Sequence, residues 1–234
     1  MIIGQVGRVS DFSKNSTSDF HRGSWVQRAL SWSTINKARA RITGPVEQAP
    51  SHVDDIEIHS ISRQLLAWWM EARGDRVMPG PEDVSPKALV ELLPYIRLLQ
   101  WEGEEELVFR IYGSALVEAT GFDLTGYNSI AGEEMPGRAD DIARLKLLHS
   151  EPCGALLHRE MTRADGSTYI CEFLNLPISA GADGKTRVIG SVIPREEISE
   201  ASLKIELTVP LTLRRAAFID IGQGLSETAM ALRV

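Results

Sequence analysis

The sequence predicts an α+β domain in which a five-stranded antiparallel sheet carries short helices and one longer helix on one face. Three observations carry that prediction. Leu107, Phe109 and Ile111 alternate with Val108, Arg110 and Tyr112, the period of two expected of a half-buried strand, and the alternation stops at Gly113. Between Asp140 and His149 the period changes, with Ile142, Leu145 and Leu148 at three-residue steps, as on one face of a helix. Ala-Asp-Gly recurs at 164 and 182 between apolar runs, and Asp and Gly tolerate the positive φ that hairpin turns demand. Strands joined by hairpins are antiparallel, and helices inserted after the second strand must cover a sheet face.

The elements follow in order. Residues 57–73 read as a helix, because Ile58, Ile61, Leu65, Trp68 and Ala72 recur at spacings of three and four, widened by Leu66 and Trp69 and stopped by Gly74. Two adjacent tryptophans do not share one narrow groove, so either one of them meets a second surface or both cover the sheet of their own domain. A Pro-Gly linker, Met78 to Glu82, leads to a short helix opened by Ser85-Pro86 and ended at Leu93-Pro94. Tyr95–Glu102 is a strand, with Ile96 and Leu98 on one face and Leu99 and Trp101 on the other, and an acidic tip turns it into Leu107–Tyr112. Ser114 is placed to cap a small helix that Gly121 ends, and a second short segment runs from Phe122 to Gly126. Asn128–Arg138 is irregular. The long helix follows, then strands over Ala155–Arg163, Ser167–Ile178 and Thr186–Ile193.

Outside this unit the chain divides into a segment 1–55 and an extension 196–234. Residues 1–50 hold seven Lys/Arg against three Asp/Glu, about +4, although the whole chain carries −7. The leading segment reads as a mobile basic tail or as a docking segment, with Trp25, Val26, Leu30, Trp32 and Ile35 able to form one helix. In the extension, Ile205–Leu213 reads as an edge strand and Ala216–Ile221 needs cover, by the sheet or by another chain. Gly222-Gln223-Gly224 lacks the third glycine of a dinucleotide-binding turn and reads as a tight turn before a short helix.

Composition narrows the classes. Apolar residues make up 43% and charged residues 24%, as in a globular protein with a sizeable core. The negative net charge argues against non-specific nucleic-acid binding. No apolar run reaches the roughly 18–20 residues a membrane span needs, and no secretory leader opens the chain, so the expectation is a cytoplasmic protein. Cys153 and Cys171 alone make no disulfide framework. His149, Cys153 and His158 match no zinc spacing, because Pro152 interrupts them. There is no Gly-x-Ser-x-Gly elbow and no Walker loop, so the chain reads as non-enzymatic.

Taken together, Trp68-Trp69, Arg76, Pro79, Leu93-Pro94, Phe109-Arg110-Ile111-Tyr112-Gly113, Thr120-Gly121-Phe122-Asp123-Leu124-Thr125-Gly126 and Thr162-Arg163-Ala164-Asp165-Gly166 resemble, over about 57–195, a PAS domain, and more narrowly a bacterial subfamily of short, often stand-alone PAS proteins. The resemblance implies a sensory or protein-interaction module in signal transduction. Such domains hold a ligand or cofactor between sheet and helices, or pair through the N-terminal helix and the outer sheet face. Light-sensing relatives place an adduct-forming Cys in the short helical stretch before the long helix, whereas Asn128–Arg138 has none. Haem-binding relatives often use a His of the long helix, which makes His149 the cofactor-binding candidate, and the cofactor itself stays open.

The expected ligand site is an apolar pocket of Ile111, Leu116, Phe122, Leu145, Leu148, Cys171, Phe173 and Val192, with Arg110 and His158 as polar contacts for an anion. The expected partners are a small molecule and either a signalling protein or a second copy meeting Trp68 and Trp69. Two readings stand beside the sensor: a ligand-free scaffold with a filled core, and a haem-bearing sensor. After residue 195 no phosphoacceptor helix, ATP-binding or cyclase signature follows, and about 39 residues are too few for such a domain.

Overall fold

A computed structural model describes residues 57–131, 137–163, 165–195 and 211–231. The basic segment 1–55 and most of the expected strand Ile205–Leu213 lie outside the described residues.

Helix α1 spans Ser60–Arg73. His59 caps it, its Nδ1 accepting the Ile61 N–H at 3.2 Å. The helix buries Ser62, Leu65, Leu66 and Trp69, a spacing of three, four and seven that makes one stripe. This stripe is rotated from the expected one. Trp69 lies at its centre, fully buried, with its indole N–H donating to the Pro177 carbonyl at 2.7 Å, while Ile61 and Trp68 flank it half-buried. The pair of tryptophans therefore splits between centre and flank of one surface. Burying side chains of this size contributes on the order of 1.5–3 kcal/mol each.

Turns follow, with 3-10 turns at Pro81–Asp83 and Leu93–Tyr95. The expected helix from Ser85 is a run of turns, although Ser85 Oγ does accept the Ala88 N–H. The sheet begins with β1, Ile96–Gly103, and β2, Glu106–Tyr112. Helix α2, Ser114–Thr120, is capped by Gly113 rather than Ser114 and ends at Gly121 in the left-handed region. A Cβ on Gly113 would sit 2.3 Å from the Pro94 carbonyl oxygen, so a side chain there has no room. The second short segment, Phe122–Gly126, is a turn, with Asp123 Oδ1 accepting the Thr125 N–H. Helix α3, Arg138–Ser150, then leads into β3, Gly154–Thr162, β4, Thr168–Ile178, and β5, Arg187–Pro194. Last come β6, Thr212–Ile219, and α4, Glu227–Ala231.

The sheet is antiparallel throughout and has six strands, not five, in the order β2-β1-β5-β4-β3-β6. The extra strand comes from the C-terminal extension. It takes the free edge of β3 rather than lying across a sheet face, and this is how Ala216–Ile219 obtain cover. Strand parity then sorts every side chain. Ile96, Leu98, Leu156, Leu174, Leu176, Ile178, Ile189 and Ile219 face α1. The other face carries Leu99, Leu107, Phe109, Val188 and Phe218 in one cluster with α3, and Leu157, Met161, Cys171, Phe173 and Ala216 in a second.

One irregularity alters the expected parity. Leu98 pairs with Ile111 but Leu99 pairs with Phe109, so Arg110 is an extra residue and the strand bulges. Ile111 thereby moves to the α1 face, where it packs with that cluster. Its expected place in an interior pocket with Cys171, Phe173 and Val192 is thus corrected.

Candidate functional site

Between the two inner clusters runs a band of polar side chains. Arg97 from β1, Gly190 from β5 and Asn175 from β4 are aligned in one row of the sheet. Adjacent strands are about 4.8 Å apart, so Arg97 must cross one strand to reach Asn175. Gly190 allows this because it has no side chain in the way. Arg97 Nη2 donates to Asn175 Oδ1 at 2.8 Å. The guanidinium lies 5.1 Å from the Phe173 ring centre, and that of Arg159 lies 5.9 Å from the same ring. Cations over an aromatic face are held by its quadrupole.

Helix α3 supplies the opposite wall. Asp141 Oδ1 accepts from Arg159 Nη2 at 2.6 Å and from Arg144 Nη1 at 3.1 Å. Arg144 is buried, which a guanidinium tolerates only when it is paired. Three arginines thus face one carboxylate. Burial, and next the charge of Arg159, lower the Arg97 pKa to about 10, and Tyr112 and Asp141 oppose the shift. Two donors of this band have no partner among the described residues: Arg97 Nε and Asn175 Nδ2. Turning the Asn175 amide over does not help, because Oδ1 must face Arg97. Asn175 is 1% exposed, while Arg97, Tyr112 and Val192 keep part of their surface accessible.

The expected site residues are distributed as follows. Cys171, Phe173 and Val192 come together beside the polar band, Leu145 and Leu148 lie in the adjoining cluster under α3, and Leu116 is buried in α2. Four others are placed elsewhere. Ile111 faces α1, as described. Phe122 is 48% exposed, because its segment is a surface turn. Arg110 is the bulged residue and pairs with Glu102 at the surface. His158 points to the α1 side, since Leu157 and Arg159 take the inner one. The interior is therefore not merely apolar. Arg97, Arg159 and Asn175 are not among the expected site residues, although strand parity sets them two residues from Leu99, Leu157 and Phe173, whereas Asp141 and Arg144 come from the helix.

On the α1 side His158 belongs to a second polar group centred on Glu172, which is fully buried. Both carboxylate oxygens accept the His59 N–H at 3.1 Å, and Oε2 accepts from Arg195 Nη1 at 3.1 Å. His158 Nε2 lies 3.9 Å away. Burial acts to raise the Glu172 pKa, but the nearby His158 and Ser62, the hydrogen bond from the His59 amide and the charge of Arg195 hold it below the ordinary value. Ser62 is joined to Ser191 of β5 at 2.8 Å. This group ties the start of α1 to β4, β5 and the residue that leaves β5.

The residue types that relatives use for cofactors are engaged or buried within this fold. His149 Nε2–H donates to the Arg187 carbonyl at 2.8 Å, so that nitrogen offers no lone pair to an iron, and burial lowers the imidazole pKa. The same bond anchors the end of α3 to β5. Burial pushes both the Cys153 and Cys171 thiols up to about 12, so neither is poised as a nucleophile toward a flavin. Asp220 Oδ1 accepts the N–H groups of Gly222, Gln223 and Gly224, so the glycine turn already holds a carboxylate where a phosphate would sit. Among the described residues no group of three metal-ligating side chains converges, and no helix is long and apolar enough to cross a membrane.

Comparison with solved structures finds light-oxygen-voltage domains. One, described with a flavin analogue, is 18% identical with a TM-score of 0.36, covering 47% of this chain and 84% of that one. An RNA-binding light-oxygen-voltage receptor is 18% identical with a TM-score of 0.34, covering 49% of this chain and only 33% of the receptor. The light state of the blue-light photoreceptor Aureochrome1 LOV is 19% identical with a TM-score of 0.31, covering 49% of this chain and 89% of that one. No curated protein matches. The family described as PAS domain matches residues 57–193, more than half of the 234. The chain belongs to the PAS domain family.

Proposed function

We propose that this chain is a non-enzymatic sensory module that binds a small molecule on the inner face of its sheet, between Arg97, Phe173 and Asn175 and the helix α3. The PAS fold is a sensory fold, which fits a signalling role. The observation that supports a ligand is the pair of donors left over in the polar band, Arg97 Nε and Asn175 Nδ2. A buried donor without a partner costs about 1–3 kcal/mol, so a bound acceptor at this point returns a comparable amount. Cys171, Val192, Leu145 and Leu148 supply apolar surface next to it.

The output would be the placement of α1 and of the segments before and after the domain. Asn175 alternates along β4 with Leu174 and Leu176, which pack under α1, and with Glu172, which holds the start of α1. Only a ligand that binds two arrangements unequally shifts their balance. A signalling partner would read that shift from the half-buried flank of α1 around Trp68. Trp69 is not open to a partner in this arrangement, being fully buried in its own chain.

Native mass spectrometry of the purified chain tests the proposal. A co-purifying small molecule that Phe173→Trp displaces, by overfilling its site, is the expected result. A clean apo mass, with Phe173→Trp as stable as the parent and no small molecule raising its melting temperature, would favour the ligand-free scaffold instead.

A further inference from the structure

The proposed site has a definite charge character. Arg144 and Arg159 already share Asp141, whereas the hydrogen-bond partner of Arg97 is the neutral Asn175 amide. Among the described residues Arg97 therefore brings a positive charge into the interior without a carboxylate bonded to it, and Arg159 stands beside the same aromatic ring. The two leftover groups are both donors. An occupant must accept hydrogen bonds, and it gains most from being anionic where the local dielectric is low. It must also be small and partly apolar. Phe173, Leu157 and Cys171 lie on one side of the band and Leu148 on the other. A planar carboxylate has two oxygens that can meet the edge of a guanidinium and an amide N–H together.

Building on the ligand-binding reading above, we infer that the site selects a small monocarboxylate, its carboxylate against Arg97, Asn175 and Arg159 and its apolar body against Phe173 and Val192. The open fraction of Arg97, Tyr112 and Val192 gives it a way in at that end of the sheet.

The test uses the full chain with two matched pairs of probes: phenylacetate with phenylacetamide, and hexanoate with hexanamide. Titrations followed by melting temperature and by NMR shifts should show saturable binding of the acids and binding about tenfold weaker, or none, for the amides. Two variants probe the charge. Arg97→Gln should lose the acids. If it fails to fold, Asn175→Asp serves instead. It keeps the side-chain shape and pairs with Arg97 internally, so it should fold and also lose the acids. Arg110→Gln, at the surface bulge, should bind them as the parent does. Amides that bind as well as acids, or Asn175→Asp binding phenylacetate unchanged, would overturn the carboxylate assignment. A neutral co-purifying molecule displaced by Phe173→Trp would overturn that assignment while leaving the ligand-binding reading standing. A clean apo mass with none of the four probes binding would overturn both.

Discussion

Replacing Glu172 by Gln removes one charge and changes little else in shape, which makes it a sharp probe of how α1 is held. The carboxylate accepts the His59 N–H with both oxygens and one Arg195 N–H, all at 3.1 Å. Hydrogen bonds to a charged group contribute about 1.5–3 kcal/mol each, and a negative charge at a helix start adds about 0.3–1 kcal/mol. An amide keeps one acceptor oxygen and turns an N–H toward donors. Removing one member of a buried ion pair costs about 3–5 kcal/mol, but Arg195 is partly exposed and can turn to water, so the expected loss is about 3 kcal/mol. At about 2–4 °C per kcal/mol for a chain of this size, the melting temperature should fall by about 6–12 °C.

Urea unfolding followed by tryptophan fluorescence is the assay, at neutral and at acid pH. Because the folded Glu172 pKa is depressed, its contribution is present above the ordinary carboxylate pKa and is lost as pH falls through the folded value. The gap between parent and variant should therefore be full at neutral pH and close in acid. Amide exchange should also quicken at His59 and Arg63, in the first turn of α1, more than in β4. A variant within about 1 kcal/mol of the parent at neutral pH, or a gap indifferent to pH, would refute the reasoning.

Other outcomes follow from single distances. Gly190→Ala would place a Cβ 2.2 Å from the Leu174 carbonyl oxygen and close the path of Arg97, so it should destabilise by about 1–3 kcal/mol or more by chemical denaturation. Trp69→Phe leaves the Pro177 carbonyl without its 2.7 Å donor and should cost about 1–3 kcal/mol, whereas Trp68→Ala should cost less and should weaken self-association in sedimentation if the α1 flank is a contact surface. With both thiols buried and pushed up to about 12, a thiol reagent at mildly alkaline pH should label Cys153 and Cys171 only as fast as the chain opens.

The strands and both longer helices were legible because their periods are strong and their stops are glycines or prolines. What escaped the sequence depended on pairing. The bulge at Arg110 is visible only once Leu98 and Leu99 find their partners, and it takes Ile111 off the face that Phe109 keeps. Phe122 reads as core because it is aromatic, but its turn leaves it at the surface. The side of the sheet that His158 takes was within reach of parity, since Leu157 and Arg159 flank it. The polar band is hidden for a different reason. Arginines inside strands ordinarily face water, and the carboxylate that pairs with Arg159, that of Asp141, comes from a helix whose rotation the apolar pattern fixes only loosely. The role of β6 becomes visible only once β3 is known to end the sheet without it.

That last strand has a practical consequence. The family match stops at 193, yet Phe218 and Ile219 plug gaps on opposite faces of the sheet. A fragment cut at 195 would bare the β3 flank from Gly154 to Glu160, a ladder of unpaired amides beside uncovered apolar side chains. Such an exposed rim invites other chains to zip onto it. Anyone trimming this protein to its family boundaries should expect clumping, and retaining the chain through residue 231 should keep it dispersed.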